Sequence, residues 1–293
     1  MRVAFQGEPG AYSEEAIIQH FGSAVEPLPR PYLREVFDAV EGGEAEMGLI
    51  PVENTIEGSI VRSYDLLNER GLKARGEVIL RVIHCLIANP GVPLRDVVRV
   101  YSHPQALGQC RAFIEEHGLE PVAAPDTAGS VKMLKESGAK DSAAIASCRA
   151  AEVYRMEVVE RGIETHKENY TRFIVIGVED HEHTSRDKTS LVFATDHRPG
   201  TLHRALGAFA RKQIDLTKIE SRPQVGKPWE YLFFVDVVGH REDPEMLGGY
   251  LYEAFSPQTP FYASFALGIT GCLIFTLFVK ESPREEAPQG ERG

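Results

Sequence analysis

The sequence predicts an α/β protein of two consecutive units: an open α/β sheet system, then a smaller α+β unit of ferredoxin-like order. Three observations carry that reading. Strand-like and helix-like stretches alternate from residue 1 to about 178. Residues 179–187 hold no apolar side chain, which marks a linker. From residue 188 onward the order is β-α-β-β-α, a ferredoxin-like order without its last strand. The length of 293 residues suits two domains at roughly 100–200 residues each.

Taken in order, Val3–Phe5 is a short strand closed by a Gly-Glu-Pro-Gly turn. Ser13 stands where it caps a helix whose inner face uses Ala16, Ile17 and Phe21. Val36, Phe37 and Val40 have helical spacing, and Met47–Val52 reads as a buried strand. Leu80–Ala88 and Val97–Ser102 are further strands. Pro104 suits a first helical turn, where its missing N–H has no partner to lose, and Leu107, Cys110 and Ile114 line that helix. Asp126 or Thr127 caps the next helix, with Val131 and Leu134 inward. Ala143–Ala146 and Phe173–Val178 complete the first unit's strands. In the second unit Ser190–Thr195 is a strand, and Leu202, Ala205, Leu206, Phe209 and Ala210 form one apolar helix face. Leu216–Ser221 and Glu230–Val238 are strands, and Pro244–Phe255 begins a helix.

Composition excludes several classes. Apolar residues are 43% and charged residues 26%, which is globular rather than disordered. Thirty-two basic against 43 acidic residues leave a net charge of −11, with no Lys/Arg run to displace counterions from a nucleic acid. Four widely spaced cysteines without a C-x-x-C pair read as cytosolic thiols, neither a disulfide framework nor a zinc site. The N-terminus lacks the apolar stretch of a secretory signal, so the expected setting is the cytoplasm. His181 and His183 read as solvated linker residues rather than a metal pair, since no further ligand cluster is in view. No P-loop, G-x-G-x-x-G, H-E-x-x-H or G-x-S-x-G is present.

The polar residues set beside strands remain: Glu53-Asn54-Thr55 with Gly58, Ser102-His103-Pro104-Gln105 with Gln109-Cys110, and Asn169-Tyr170-Thr171-Arg172-Phe173. Each alone is ordinary turn or capping chemistry. Together, in this order, and with Phe5-Gln6-Gly7 and Gly10-Ala11-Tyr12-Ser13 before them, they resemble the motifs of prephenate dehydratases. The second unit resembles the ACT regulatory domain, with Gly200-Thr201-Leu202 and Glu220-Ser221-Arg222-Pro223 as its effector motifs. The resemblance covers about residues 1–255. It implies a fold like type II periplasmic binding proteins, with lobe one at about 1–80 and 160–178 and lobe two at about 81–159. An ACT domain at 188–255 follows. It also implies conversion of prephenate to phenylpyruvate, water and CO2, without metal or organic cofactor. The implied partners are prephenate, L-phenylalanine as effector, and further copies of the chain in a homodimer or homotetramer.

The residue types suit that reaction. Aromatisation drives it, so the enzyme must help the hydroxyl leave. A cation on the ring carboxylate would stabilise the ground state and oppose CO2 loss. Thr171 is therefore expected to donate a hydrogen bond to the departing oxygen. Arg172 is expected to grip the side-chain carboxylate, with Phe173 completing the motif. Asn54, Ser102 and Gln109 are expected to orient substrate and Glu53 to order them from behind. Ser13 is a helix cap that stands where it can touch a carboxylate, and His103 is a capping residue. An arogenate or dual-substrate cyclohexadienyl dehydratase is the alternative enzyme, and a non-catalytic amino-acid sensor the alternative class. The tail departs from the family. Residues 261–279 carry no charge, and a strand of the ACT unit, a membrane anchor and an end from a shifted reading frame all stay open for it.

Overall fold

In the computed structural model, residues 1–224, 227, 229–241, 243 and 264–265 are described. The chain divides into one unit from Met1 to Glu182 and a second from His183 onward. In the first, β1 (Arg2–Gln6) leads into α1 (Tyr12–Phe21), β2 (Glu26–Arg30), α2 (Leu33–Glu41), β3 (Met47–Asn54), the short β4 (Gly58–Ser59), α3 (Val61–Glu69) and β5 (Lys73–Arg81). The chain then builds a separate set: β6 (Cys85–Ala88), β7 (Arg99–Ser102), α4 (Pro104–Gln109), α5 (Arg111–Glu116), β8 (Glu120–Ala123), α6 (Thr127–Ser137), β9 (Ser142–Ala146), α7 (Cys148–Tyr154) and β10 (Glu157–Arg161). It returns as β11 (Tyr170–Gly177).

Two sheets result, ordered β2-β1-β3-β11-β5 and β10-β6-β9-β7-β8. β11 enters the first sheet antiparallel to both β3 and β5. The chain therefore crosses between sheets twice, after Arg81 and after Arg161, and each sheet anchors one lobe. Phe5, Ile17, Leu49 and Phe173 fill the first lobe's core, and Leu86, Val100, Ile114 and Ile145 that of the second. Fully burying such a side chain is worth about 1.5–3 kcal/mol, so the placement of β11 is set largely by Phe173 and Val175. Its first residues, Tyr170 and Thr171, lie past that core at the sheet's end.

The lobes touch through the turn before α1. Gly10 has φ +87°, and a Cβ there would lie 2.6 Å from Ala150 Cα; only glycine permits both. Ser147 Oγ donates to the Gly10 carbonyl at 2.6 Å. The buried Glu14 carboxylate accepts from Gly10 N–H at 2.7 Å and from Arg149 Nε at 3.0 Å.

Several expectations need correction. The cap of α1 is Ala11, and Ser13 is the second helical residue: the cap stands two residues before Ser13, with the Ala11 carbonyl already accepting from Glu15 N–H at 3.1 Å. Asp126 caps α6, accepting from Gly129 N–H at 2.6 Å. Leu80–Ala88 is not one strand: it breaks at Val82–His84, where the lobes are joined. β2, with its two prolines, is an edge strand, which tolerates missing N–H donors. The cysteines are not all thiols. Cys85 and Cys148 are disulfide-bonded with Cα atoms 5.8 Å apart, and Cys110 is free and buried. Pairing of Cys85 with Ala146 across β6 and β9 brings the two cysteines together.

In the second unit β12 (Lys188–Ala194), β13 (Leu216–Pro223), β14 (Tyr231–Val238) and β15 (Ser264–Phe265) form a sheet ordered β13-β14-β12-β15, joined among the described residues by the helix α8 (Thr201–Arg211). Leu191, Phe193, Ala205, Phe209, Val235 and Val237 make its core. The expected helix at 244–255 lies outside the described residues, as does the tail apart from Ser264–Phe265, which pair with Val192 and Leu191. No helix among the described residues is long and apolar enough to cross a membrane. His183 sits between Asp243, at 2.9 Å, and Asp187, at 3.5 Å. Among the described residues no group of three or more His, Cys, Asp or Glu is arranged to hold a metal ion.

The cysteine pairing has a direct check. Proteolysis of the denatured protein after alkylation, without reductant, should yield one linked peptide joining Cys85 to Cys148, with Cys110 alkylated. Alkylation of all three would contradict the pairing.

Candidate active site

The site begins with a turn. After β3 the chain reverses through Thr55–Glu57, and Asn54 Oδ1 accepts the backbone N–H groups of Ile56 at 2.9 Å and Glu57 at 3.0 Å. A backbone N–H can only donate, so the orientation of the Asn54 amide follows without ambiguity. Its Nδ2 is then the donor, directed at Asn169 Oδ1 (2.8 Å), Thr171 Oγ1 (3.0 Å) and the Tyr170 carbonyl (3.1 Å). Because Asn169 Oδ1 accepts, its Nδ2 donates onward to Gln109 Oε1 at 2.8 Å. Gln109 Nε2 in turn donates to Glu57 Oε1 at 3.1 Å. His84 Nε2, 2.8 Å from Gln109 Oε1, must carry a proton, and Nδ1 then accepts from the Tyr12 hydroxyl at 2.6 Å.

One chain of hydrogen bonds thus has its polarity settled from end to end. Thr171 Oγ1 receives a hydrogen bond and gives none among the described residues, so its own O–H is available to a bound molecule. Asn54, Asn169, Glu57 and Thr171 belong to lobe one and Gln109 to lobe two, so the set closes only when the lobes meet. Asn54 and Asn169 are buried, and buried polar groups this fully paired hold one arrangement.

Burial dominates the electrostatics. It holds the His84 imidazole below the ordinary histidine range, although the Gln109 hydrogen bond and the Glu164 charge act the other way. It pushes the Tyr12 hydroxyl and the Cys110 thiol up, with the nearby Glu164 charge adding to both. The network is neutral: amides, a hydroxyl, a phenol and an uncharged imidazole, with the Glu57 carboxylate at its rim.

The remaining expected residues are placed as follows. Ser102 is buried and donates to the Ile145 carbonyl at 2.6 Å, joining β7 to β9 rather than entering the Asn54 network. His103 caps α4, accepting from Gln105 N–H at 3.3 Å. Ser13 is buried in the first turn of α1. Phe173 lies in the lobe-one core. Arg172 faces away from Thr171, as consecutive strand residues must. Its guanidinium pairs with Glu77 on β5 at 2.6 Å and approaches Glu53 on β3 at 3.7 Å. The structure therefore brings Thr171, Asn54 and Gln109 together and sets Arg172 with Glu53 on the opposite face. Gly200, at φ +83°, is the N-cap of α8, where Thr201 and Leu202 begin the helix. Glu220-Ser221-Arg222-Pro223 end β13.

Sequence reasoning missed His84, Glu57 and Glu164, and included Tyr12 only within a motif, without a role. His84 sat inside an apolar run read as strand; the signal available was one lone histidine between Ile83 and Cys85 at a lobe crossing.

Residues 3–181 match the family model described as Prephenate dehydratase, and residues 189–248 match the ACT domain. A chloroplastic protein of Arabidopsis thaliana named arogenate dehydratase/prephenate dehydratase 2 is 42% identical over 247 residues, 80% of this chain and 65% of that protein. A structure of prephenate dehydratase from Arthrobacter aurescens in complex with L-Phe has a TM-score of 0.79 at 30% identity, covering 90% of this chain and 89% of that one. A structure described as GqqA, a novel type of quorum quenching acylase, has a TM-score of 0.80 at 36% identity, covering 89% and 96%. The chain spans about two thirds of the length of the curated relatives it matches.

The buried imidazole makes stability depend on pH. Unfolded histidine takes up a proton near 6.5, while native His84 resists until lower pH. The unfolded state then binds more protons, so stability falls as pH drops below about 6.5. The melting temperature should fall between pH 7 and 5, and should fall less in His84→Gln. Equal slopes would contradict the burial account.

Proposed function

The chain belongs to the prephenate dehydratase family and carries an ACT domain behind its catalytic unit, and from that premise we propose that it converts prephenate to phenylpyruvate with Thr171 as donor to the departing hydroxyl. The observation that carries this is the direction of the hydrogen bond at Thr171: Oγ1 accepts from Asn54 Nδ2 and keeps its own O–H for the substrate. In the reaction the ring C–O bond breaks and the bonding pair of the ring carboxylate moves into the ring. CO2 departs, and the hydroxide leaves as water once protonated. The gain of aromaticity drives the step, so the barrier lies in the developing hydroxide, and a fixed O–H donor lowers it. Neutral amides around the donor leave the ring carboxylate without a cation that would hold it back.

Other roles follow from placement. Gln109 and Asn54 orient the substrate from the two lobes. The Ser13 hydroxyl and the first N–H groups of α1 offer a seat for a side-chain carboxylate. Arg172, held between Glu53 and Glu77, acts by pinning β11 to both neighbouring strands, and Phe173 seats the same strand in the core. Ser102 fixes the end of β7, from which α4 carries Gln109.

A second reading, arogenate as substrate, draws support from the name of the Arabidopsis relative, and the ratio of kcat/KM for the two acids decides it. An acyl-transfer reading lacks an activated nucleophile: Thr171 Oγ1 faces an amide donor instead of a base, and burial suppresses the Cys110 thiolate. We assign L-phenylalanine as effector, bound between the ACT domains of two copies in a homodimer or homotetramer. Gly200, Thr201 and Leu202 would meet it with Glu220, Ser221, Arg222 and Pro223. The support is the L-Phe held by the Arthrobacter protein and the left-handed Gly200, which lets a ligand approach the backbone closely.

Phenylpyruvate formation, read by absorbance in alkali, tests the chemistry. Thr171→Ala should lower kcat about 10²-fold or more, and Thr171→Ser should keep most of it; a loss of only a few-fold in Thr171→Ala contradicts the assignment. Millimolar L-phenylalanine should change the rate, and an unchanged rate removes the effector reading.

A further inference from the structure

We propose that Tyr12 and His84 are positioning residues for the dehydration, a phenol-to-imidazole string laid across the two lobes that fixes Gln109 and, through it, the Asn169–Asn54–Thr171 donors. The proposal rests on the donor role of Thr171 and adds what sets that donor.

His84 occupies the outgoing lobe crossing and is tied to the returning one. Its backbone N–H donates to Glu164 Oε2 at 3.0 Å. Its carbonyl accepts from the N–H groups of Gly162 at 2.9 Å and Ile163 at 3.1 Å. Both crossings therefore locate the ring, which is almost wholly buried. From that point the ring reaches both lobes. Nδ1 meets the Tyr12 hydroxyl of α1, in lobe one, and Nε2 meets Gln109 Oε1 of α4, in lobe two. The Tyr12 ring stands edge-on to the imidazole at 87°, and Tyr12 follows the Gly10 contact by two residues.

The polarity of the string gives it a task. A neutral imidazole has two tautomers, and only the Nε2–H form can donate to Gln109 Oε1. In the Nδ1–H form a lone pair would face that oxygen. Gln109 Oε1, fixed as an acceptor by Asn169, requires the Nε2–H form, and the Tyr12 hydroxyl supports it by donating to the bare Nδ1 at 2.6 Å, closer than the Ile83 carbonyl at 3.4 Å. Gln109 Oε1 then has two donors, His84 and Asn169, and its amide cannot reverse without setting N–H against N–H at both. Gln109 is the lobe-two side chain that this network joins to lobe one, so holding it also holds the lobes in register around Thr171. A polar string in a dry interior is costly unless fully paired, and it is retained here where it meets the reacting hydroxyl.

A double-mutant cycle tests the role. His84→Leu should lower kcat about 10- to 100-fold, the scale of a misplaced reacting group, with KM changed less than about two-fold. In a Thr171→Ala background the same substitution should lower kcat less than about three-fold, because the group it positions is gone. His84→Gln, which keeps a donor where Nε2 stood, should recover most of the lost rate. Tyr12→Phe should show a smaller loss that also vanishes with Thr171→Ala, and it decides the matter if His84→Leu does not fold. Equal losses in both backgrounds, a change in KM alone, or Gln no better than Leu would overturn the positioning role while leaving the donor reading intact. Retention of kcat in Thr171→Ala alone would overturn the donor reading instead.

Discussion

The Ile56 and Glu57 backbone N–H groups, both donating to Asn54 Oδ1, impose a direction on everything that follows. Side-chain amides, hydroxyls and imidazoles can each be turned around, and a network made only of them has two self-consistent polarities. Two fixed backbone donors remove one of them. Asn54 must offer its N–H groups to Asn169 and Thr171, Asn169 must offer its own to Gln109, and Thr171 is left with an unspent proton. A tight turn at the end of β3 thus decides the chemistry of an oxygen on β11, across the strand pairing of Asn54 with Thr171.

The two-lobed architecture supplies the second condition. Gln109 comes from a helix of the second lobe and meets Asn169 and Glu57 of the first, while Gly10, Ser147, Glu14 and Arg149 hold the lobes together beside α1. Contacts outside the reacting centre thus join the lobes alongside the Gln109 bridge within it. Burial keeps the His84 imidazole and the Tyr12 phenol uncharged, which suits a reaction whose substrate must shed a carboxylate as neutral CO2.

Much of this was legible in residue order. The alternation of strands and helices and the linker without apolar residues point to the α/β architecture, and the resemblance of the motifs around Asn54, Gln109 and Thr171 to those of prephenate dehydratases points to three members of the network. The orientation of Arg172 was legible too, in principle: neighbours on a strand face opposite ways, so Thr171 and Arg172 cannot both line one cleft. His84 was hidden because its neighbours Leu80, Val82, Cys85 and Ile87 are apolar, and a crossing between sheets has no periodicity of its own. The Cys85–Cys148 pair was hidden for a different reason. Their separation of 63 residues matches no motif, and only the pairing of β6 with β9 brings them together. The prolines of β2 masked a strand that sits where prolines are harmless, at a sheet edge.

The most direct test exchanges one atom. Asn54→Asp keeps an oxygen for the Ile56 and Glu57 N–H groups but places a second acceptor where Nδ2 donated. Thr171 would then turn its proton inward to the carboxylate. The measurement is kcat at saturating prephenate on folded protein. The account predicts a fall of about 10²-fold or more, comparable with loss of the threonine hydroxyl itself. A kcat within a few-fold of the parent would mean that the direction of the Asn54–Thr171 hydrogen bond does not govern the reaction.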